Sequence, residues 1–383
     1  MYKSYAPTFR VICGVVIAAA ATPAEAGTFT VLHAFQGGND GRMPYASMID
    51  VNGTLYGTTL FGGASGDGTV FALDPKTGTE TVLHAFQGGP DGYFTYSDLA
   101  ELNGTLYGTT YYGGAYSNGT VFALNLATGT ESTVYAFQGS SDGGGPDASL
   151  TGMAGMLYGT TGSGGANGNG TVFSLNPTSG VATALYSFPG SGRAYDITDS
   201  LLHIGRTLYG TTASGGTNGY GMAYSLNPAT SVQSVLYSFQ GGSDAANPER
   251  GLINVRGTLY GASYSGGANG AGTVFTLNPL TGVETVLYAF QGGNDGQNPY
   301  AKLTLVGDTL YGTTYSGGSN YAGTIFSVNV LTGAHTVLYS FPGGYDVASP
   351  VGKLIKIQKS FYGVTLSGGD PNCYCGAVFS FTP

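Results

Sequence analysis

Short runs of alternating hydrophobic and polar residues follow one another through the chain from residue 27 onwards. In one representative stretch, residues 82–134, the runs are separated by turns rich in glycine and asparagine. Alternation with a period of two residues is typical of half-buried β-strands. Asn103-Gly104, which lies between two runs, is a strong signal for a two-residue hairpin. No window has the 3.6-residue period of a helix, so the pattern predicts an all-β chain.

The whole pattern repeats with a step of 51 residues. A Tyr-Gly pair inside one strand marks each copy, and a phenylalanine at the end of another strand keeps the same step. The tyrosines are Tyr56, Tyr107, Tyr158, Tyr209, Tyr260, Tyr311 and Tyr362, and the phenylalanines are Phe35, Phe86, Phe137, Phe188, Phe239, Phe290 and Phe341. Seven copies of four short antiparallel strands predict a seven-bladed β-propeller.

The two ends of the chain predict how the ring closes. Residues 30–35 match the outer strand of a blade, whereas residues 376–379 match the third strand. The last blade therefore lacks its outer strand, and the N-terminal region has one to spare. Because pairing them removes two exposed strand edges, we expect the N-terminal strand to complete the last blade.

Residues within the repeat have predicted structural roles. We expect the tyrosine of the Tyr-Gly pair and the phenylalanine of the Gly-Thr-Val-Phe strand to be buried between blades. The glycine after each tyrosine, such as Gly57, indicates close approach of another group. The Gly-Gly pair that follows, such as Gly62-Gly63, is expected to supply positive φ angles in a loop.

The first 26 residues lie outside the repeat and have the pattern of a secretory signal peptide. Lys3 and Arg10 precede an apolar run over residues 11–21, which is too short to span a bilayer. Ala24-Glu25-Ala26 has the small-x-small form of a cleavage site. We therefore expect cleavage near Ala26, a propeller domain over residues 27–383, and a secreted or periplasmic protein without a lipid anchor.

Composition narrows the possible partners. The chain has 68 glycines, 29 tyrosines, no tryptophan and a formal net charge of −9. A negative chain is poorly suited to nucleic acid or to an anionic membrane. We therefore expect no nucleic-acid partner, no membrane insertion and a monomer. Tyrosine-, asparagine- and glycine-rich loops suit contact with a glycan or a surface protein.

The repeat also resembles a known family. The unit Leu-Tyr-Gly-Thr-Thr, followed by Gly-Gly, Gly-Thr-Val-Phe and an Asn-Pro or Asp-Pro turn, is similar to the GloVer (Gloeo/Verruco) tandem repeat. This resemblance covers residues 27–383 and implies an exported bacterial protein of the choice-of-anchor kind. It supplies no catalytic residues. A more distant likeness to kelch propellers lacks the kelch tryptophan.

One class of candidate residues repeats from blade to blade. Aspartates follow the outer-strand phenylalanine by five residues in six copies, at Asp40, Asp91, Asp142, Asp244, Asp295 and Asp346. One interpretation is a turn in which the carboxylate accepts backbone N–H groups. The other is calcium coordination together with backbone carbonyls, although the spacing matches no EF-hand. We expect no other cofactor.

A second class does not repeat and lies at the entry to the innermost strands, near the mouth of the central channel. Its members are Tyr45, Tyr96, Asp98, Asp147, Asp199, Glu249, Arg250, Tyr300, Lys302 and Lys353. They form either a solvated rim with mixed salt bridges or a polar site for a sugar or peptide. The short turns on the opposite face offer little to recognise, so we expect the main pocket at this mouth.

The regular repeat favours a non-catalytic, exported binding module for a glycan or another cell-surface component. The alternative is a polysaccharide lyase or a glycoside hydrolase at the channel mouth. A hydrolase would use a pair from Asp98, Asp147, Asp199 and Glu249. A lyase would use Tyr300 as base, with Arg250, Lys302 or Lys353 neutralising a uronate.

The few histidines and cysteines complete the candidates. His33 and His84 replace a tyrosine found in the other copies, which indicates a structural role. His203 lies on an inner strand, where we expect it to be buried and hydrogen-bonded. Cys373 and Cys375 are close enough in sequence for a small disulfide, although the i,i+2 geometry is strained.

Overall fold

The computed structural model describes residues 27–189 and 200–383, and it contains seven β-sheets of four or five strands. The signal peptide predicted for residues 1–26 lies outside the described residues. Each sheet is one blade, with an inner, a second, a third and an outer strand in antiparallel order. The all-β, seven-bladed β-propeller predicted from the repeat is therefore confirmed.

The strand bounds repeat closely from blade to blade. From the inner to the outer strand they are Ile49–Val51, Thr54–Thr59, Thr69–Leu73 and Glu80–Ala85 in blade one; Ala100–Leu102, Thr105–Thr110, Thr120–Asn125 and Glu131–Ala136 in blade two; Thr151–Met153, Met156–Thr161, Thr171–Asn176 and Val181–Ser187 in blade three; Leu202–Ile204, Thr207–Thr212, Met222–Asn227 and Val232–Ser238 in blade four; Ile253–Val255, Thr258–Ser263, Thr273–Leu277 and Glu284–Ala289 in blade five; Thr304–Val306, Thr309–Ser316, Thr324–Asn329 and His335–Ser340 in blade six; and Val347–Ile357, Ser360–Gly368, Ala377–Thr382 and Thr28–Ala34 in blade seven.

Short additional elements lie in the loops. Ala245–Ala246 pairs with Ser265–Gly266, and Gln297–Pro299 pairs with the second strand of blade six. Single-turn 3-10 helices occupy Gly38–Asp40, Gly89–Asp91 and Gly293–Asp295. The hydrophobic pattern did not indicate these turns, because three residues are too few to show a period. In the described part of the chain, no helix has the length and apolar character needed to cross a membrane.

The N-terminal strand, Thr28–Ala34, is the outer strand of blade seven. It pairs antiparallel with Ala377–Thr382, from Thr28 opposite Thr382 to Ala34 opposite Ala377. This pairing places the first and last strands of the described chain in one sheet, and it removes two edges that would otherwise be exposed.

The blades pack through one aromatic contact that recurs at every interface. The phenylalanine after an outer strand meets the third-strand aromatic ring of the next blade edge to face, as Phe86 meets Phe122 with ring centroids 5.1 Å apart. Both rings are fully buried. The glycine opposite Phe122, Gly108, leaves room for the ring, since a Cβ there would lie 2.5 Å from Phe122 Cζ. The prediction that the third-strand phenylalanine is buried between blades is confirmed.

The tyrosine of the Tyr-Gly pair is less buried than the sequence predicted. Tyr107 packs against the core between blades two and three, but it is only partly buried, whereas its neighbour Leu106 is fully buried. The pleat of the strand sends the two residues to different interfaces: Leu106 packs toward blade one and Tyr107 toward blade three, where the ring stays at the edge of the core. Tyr158, in blade three, is the most enclosed of the seven tyrosines at 8% exposure.

The turns follow the backbone rules expected from their sequences. Asn52 and Gly53 both have positive φ angles, which a two-residue hairpin of the favoured type requires. All seven Gly-Gly pairs also have positive φ. A Cβ on Gly62 would lie 2.4 Å from the Cα of Gly41, so the loop that enters blade one meets that blade's second-to-third loop backbone to backbone.

Candidate functional site

The residues that precede the inner strands surround two adjoining cavities at one face of the propeller. The cavities have volumes of about 410 and 430 Å³, and Tyr45 lines both of them. The same face carries the long loops between second and third strands, which contribute further side chains. We call this region, built from the residues around positions 45, 96, 147, 249 and 300 and the loops that touch them, the mouth.

Arg250 lies between the two cavities because it replaces a small residue. The equivalent positions in other blades hold Ala46, Ala148 and Ala301, each almost completely buried. A long side chain at this position must extend toward the channel axis. The guanidinium of Arg250 lies over the rings of Tyr45 and Tyr300, with its central carbon 4.6 and 4.3 Å from their centroids. The arginine therefore holds both rings by cation–π contacts.

The guanidinium is enclosed rather than exposed. Its Nε and Nη2 atoms are shielded from solvent and have no hydrogen-bond partner among the described residues. Burial opposes the positive charge, but the net pKa of Arg250 is still above its ordinary value, because Tyr300, Tyr45 and the nearby carboxylate of Asp98 favour it. Arg250 is thus a fixed, dry positive charge at the centre of the mouth.

Tyr45 and Tyr300 come together across the ring although 255 positions separate them in sequence. Their hydroxyl groups are hydrogen-bonded to each other. Burial raises the pKa of Tyr45, and the positive charge of Arg250 opposes this shift without cancelling it. Tyr45 therefore stays protonated at neutral pH, which suits a hydrogen-bond donor and makes it a poor general base.

Aromatic rings form most of the first cavity. Its walls are Tyr45, Phe94, Tyr96, Tyr111, Tyr112, Asp147 and Arg250. Tyr96 packs edge to face against Tyr45 and Tyr111, with ring centroids 5.3 and 5.6 Å away. Burial raises the pKa of Tyr96, so this hydroxyl also remains protonated. The cavity combines broad aromatic faces with hydroxyl groups and one carboxylate.

The second cavity has the same character. Its lining is Tyr45, Glu249, Tyr264, Tyr300, Tyr315 and Leu366. Tyr300 packs edge to face against Tyr264 and Tyr315, each with a centroid distance of 6.0 Å. Burial, followed by the charge of Glu249, raises the pKa of Tyr264. Each cavity therefore contains one acidic side chain among tyrosines.

Beneath Arg250 the channel narrows to a space of about 10 Å³ lined by Asp98, Lys302 and serines. Asp98 Oδ1 accepts a hydrogen bond from the Ser47 backbone N–H at 2.6 Å. Lys302 Nζ donates to Ser200 Oγ at 2.8 Å. Asp98 therefore links blades one and two below the cavities, whereas Lys302 reaches past blade five to link blades six and four.

The predicted site residues divide into three groups. Tyr45, Tyr96, Asp147, Glu249, Arg250 and Tyr300 line the cavities. Asp98 and Lys302 lie below them. Lys353 is partly buried, and its backbone N–H donates to Ser47 Oγ at 2.6 Å, but its side chain lines none of these three spaces. Asp199 lies outside the described residues.

Sequence reasoning missed five aromatic residues of the mouth: Phe94, Tyr111, Tyr112, Tyr264 and Tyr315. Three of them, Tyr111, Tyr264 and Tyr315, share one place in the repeat, at the end of the second strand or just after it, where the other copies hold Leu60, Gly162, Ala213 and Leu366. This variation at a fixed position was visible in the sequence. Its meaning required the structure, since only the fold shows that the position faces the same cavities as Tyr45.

The carboxylates of the repeating aspartates accept hydrogen bonds within their own turns. Asp91 Oδ2 accepts the Gln87 backbone N–H at 2.7 Å, and His84 Nε2 lies 3.2 Å from both carboxylate oxygens. In most other copies the histidine is a tyrosine, as where Tyr135 donates to Asp142 at 2.8 Å. These contacts fit the turn interpretation. Calcium coordination by Asp40, Asp91, Asp142, Asp244, Asp295 and Asp346 stays a prediction.

The structure also bears on the expectations for the two cysteines, for His203 and for the face opposite the mouth. Cys373 and Cys375 form a disulfide. His203 is exposed, so the expectation that it is buried is wrong; it occupies the middle of an inner strand, where Asp50 and Glu101 are also exposed. We expected the main pocket at the mouth, but a groove of about 740 Å³ between the turns of blades one and seven, on the opposite face, is larger than either cavity of the mouth. Lys76 and Lys359 line this groove, since long side chains extend from turns that are themselves short.

Two solved structures have a fold similar to that of this chain. An oligogalacturonate lyase in complex with manganese is 14% identical, with a TM-score of 0.58, over 93% of this chain and 96% of that chain. The extracellular domain of BT4673 from B. thetaiotaomicron is 12% identical, with a TM-score of 0.57, over 90% of this chain and 39% of that chain. At such identities the likeness shows the propeller fold alone. A search of curated protein sequences finds no match.

The repeat itself identifies the family. The sequence profile described as the Gloeobacter/Verrucomicrobia repeat matches residues 13–205 and 200–379. These two matches cover nearly the whole chain, including the strands, the Gly-Gly loops and the aromatic contacts described above. The chain therefore belongs to the Gloeobacter/Verrucomicrobia repeat family.

Proposed function

We propose that this protein is an exported, non-catalytic binding module that recognises a glycan at the mouth of its propeller. The observation that carries the proposal is the pair of adjoining, tyrosine-walled cavities that share Tyr45. Aromatic faces stack on the apolar faces of sugar rings, and hydroxyl and carboxylate groups bind sugar hydroxyls. Two neighbouring cavities suit two neighbouring sugar units of one chain.

The electrostatics of the mouth favour binding over catalysis. Tyr45 is held protonated by burial and by its hydrogen bond to Tyr300, which suits a donor of hydrogen bonds to a bound ligand. Arg250 is enclosed by the same two rings and positions them. A rigid arrangement of this kind presents a fixed surface, which lowers the entropic cost of binding. A polysaccharide lyase or glycoside hydrolase at the mouth is the alternative.

The first experiment is a glycan array probed with the purified protein, followed by titration of a glycan that binds. Tyr111→Ala should weaken binding by roughly 2–10-fold, because a ring contact is worth about 0.5–1.5 kcal/mol. Tyr116→Ala is the matched control. It lies in the same loop and is 56% exposed, but it does not line either cavity.

The alternative is tested with the same preparation. The protein is incubated with mixed acidic and neutral polysaccharides, and reducing ends and the ultraviolet absorbance of unsaturated products are followed. Turnover that Tyr300→Phe, the change at the candidate lyase base, abolishes would establish the enzyme and refute the non-catalytic module. Equal loss of glycan binding in the Tyr111 and Tyr116 variants would show that the mouth is not the binding site.

A further inference from the structure

A second set of chemically active side chains lies far from the mouth, on the outer edge between neighbouring blades. His33, Asp40 and Glu80 form one cluster, and His84, Asp91 and Glu131 form the equivalent cluster one blade further on. In each, the histidine belongs to one outer strand and the glutamate begins the next blade's outer strand. The aspartate comes from the loop that joins the two blades.

The two clusters have the same geometry. His33 Nε2 is 3.0 Å from Asp40 Oδ1, and His84 Nε2 is 3.2 Å from Asp91 and 3.9 Å from Glu131 Oε2. Within each cluster, one ligand atom from every residue lies within 4.8 Å of the others. Ligands of a bound zinc ion lie about 2.0–2.2 Å from the metal, so small side-chain rotations would bring the three atoms onto one ion.

Each glutamate contacts the aspartate beside it, but one of its carboxylate oxygens has no hydrogen-bond partner among the described residues. Oε1 of Glu80 and Oε1 of Glu131 are shielded from solvent and accept no hydrogen bond from the described residues. The Glu131 side chain is only 10% exposed. Burying a second ionised carboxylate beside an aspartate is unfavourable unless a proton or a bound cation compensates the charge. A divalent cation between the two carboxylates would provide that charge.

The other copies show that the histidine is not needed for folding. A tyrosine occupies the equivalent place, and Tyr135, Tyr237 and Tyr288 each donate a hydrogen bond to the local aspartate. Both histidine copies pair with a glutamate, whereas four of the five tyrosine copies have Ala182, Gln233, His335 or Phe29 at that place. Histidine and glutamate thus occur together, as two ligands of one ion would.

From this geometry we infer that His33, Asp40 and Glu80, and equally His84, Asp91 and Glu131, bind divalent transition-metal ions of the zinc type. One imidazole nitrogen and two carboxylate oxygens suit zinc better than calcium, which prefers six to eight oxygen ligands. Each ion would connect two neighbouring blades. This role is independent of glycan recognition at the mouth.

The test measures metal content of the full chain, prepared without a histidine tag and stripped with a chelator. After incubation with zinc chloride and gel filtration, the wild-type protein should retain two zinc ions per chain, one for each cluster. His84→Tyr should retain one, and His33→Tyr with His84→Tyr should retain none. Because tyrosine is the residue of the other copies, the metal-free variants should melt at the same temperature as the metal-free wild-type protein.

A gain of binding sharpens the test. Tyr237 shares its site with Asp244 and with Glu284, whose Oε1 also lacks a hydrogen bond. Tyr237→His should therefore add one zinc ion per chain. Glu131→Gln, which keeps the shape of the side chain, should weaken zinc binding at its cluster by at least about tenfold, the loss expected even for an outer-shell partner.

The zinc content, the calcium content and the melting temperature together decide whether the clusters bind zinc. Zinc contents that follow the number of histidines, with unchanged melting of the metal-free variants, support the inference. Equal zinc contents in the wild-type protein and the double tyrosine variant would overturn it. Retention of calcium but not zinc, tested in parallel with calcium chloride, would also overturn it.

Discussion

The interfaces between blades and the mouth of the propeller differ in how closely their residues repeat. The same kinds of residue recur at every interface, whereas the mouth has different residues at equivalent positions. At the interfaces, the seven ring pairs equivalent to Phe86 and Phe122 have centroid distances of 5.0–5.4 Å. At the mouth, equivalent positions hold Tyr45, Tyr96, Asp147, Glu249 and Tyr300. A ring closes only if every interface turns the chain by a similar angle, so the interfaces repeat. Recognition needs unlike groups in one place, so the mouth does not.

This comparison also separates two kinds of buried residue. Phe122 has exchanged water for close-packed hydrocarbon, and its burial stabilises the fold. Arg250 is enclosed without a hydrogen bond for two of its nitrogens, and contacts with the rings of Tyr45 and Tyr300 take the place of its hydration. Burial between the blades therefore serves stability, whereas the enclosed charge at the mouth suits the proposed binding role.

The largest expected effect is on the interface. Phe122→Ala should lower the free energy of unfolding by about 3–5 kcal/mol, because the ring is fully buried against Phe86. Tyr107→Ala should cost less, about 1–3 kcal/mol, because that ring is only partly buried. Chemical denaturation of the two variants measures both values. A larger loss for Tyr107→Ala would mean that the assignment of core and half-buried positions is reversed.

A smaller effect tests the space reserved for that ring. Gly108→Ala should destabilise the protein by about 1–3 kcal/mol, because the new Cβ would lie 2.5 Å from Phe122 Cζ. Gly152→Ala is the control: a Cβ there meets nothing within 4 Å, and the change should be within about 0.5 kcal/mol. Thermal melting compares the two. If both variants melt alike, the glycine is not there to make room for the ring.

The third prediction concerns pH. Burial, reinforced by the charge of Asp244, raises the pKa of Glu284 from 4.5 to about 8. The folded state then holds a proton that the unfolded state releases, so stability falls as pH rises from about 4.5 to about 8. Glu284→Gln, the residue type of Gln233 at the same place, removes this loss and should raise stability by about 1–2 kcal/mol at pH 8.

Denaturation at several pH values measures the effect. The difference between variant and wild type should be smallest below pH 4.5 and should grow toward pH 8. Glu101→Gln, at an exposed position of an inner strand, controls for the general loss of one charge. A pH-independent difference between Glu284→Gln and the wild type would contradict the raised pKa.

The smallest stability effect is expected at the mouth. Arg250→Ala should change the free energy of unfolding by about 1 kcal/mol, because lost cation–π contacts are offset by removal of an enclosed charge. Lys302→Ala should cost about 0–1 kcal/mol. Glycan binding should nevertheless weaken more in Arg250→Ala, since Arg250 holds Tyr45 and Tyr300. Unfolding of Arg250→Ala, or unchanged binding, would place Arg250 with the interfaces instead.

Much of the candidate site was accessible from the sequence, because residues that break a strict repeat are easy to find. Six of the ten predicted residues line the cavities. Lys353 was included for its charge, but its side chain lines none of the spaces at the mouth. The loop tyrosines were missed because their distance from Tyr45 in sequence says nothing about their distance in space. Tyr264, for example, comes from a different blade.

The sequence by itself determined the number of blades, the strand order and the turn geometry. These properties are local or periodic: alternation sets each strand, Asn-Gly sets the hairpin and the 51-residue step sets the count. The closing of the ring determined the contacts between residues of different blades. It placed Tyr45 against Tyr300 across 255 positions, enclosed Arg250 between them, and left Tyr107 half-exposed. Such contacts depend on how blades meet around an axis, and a single repeat does not contain that information.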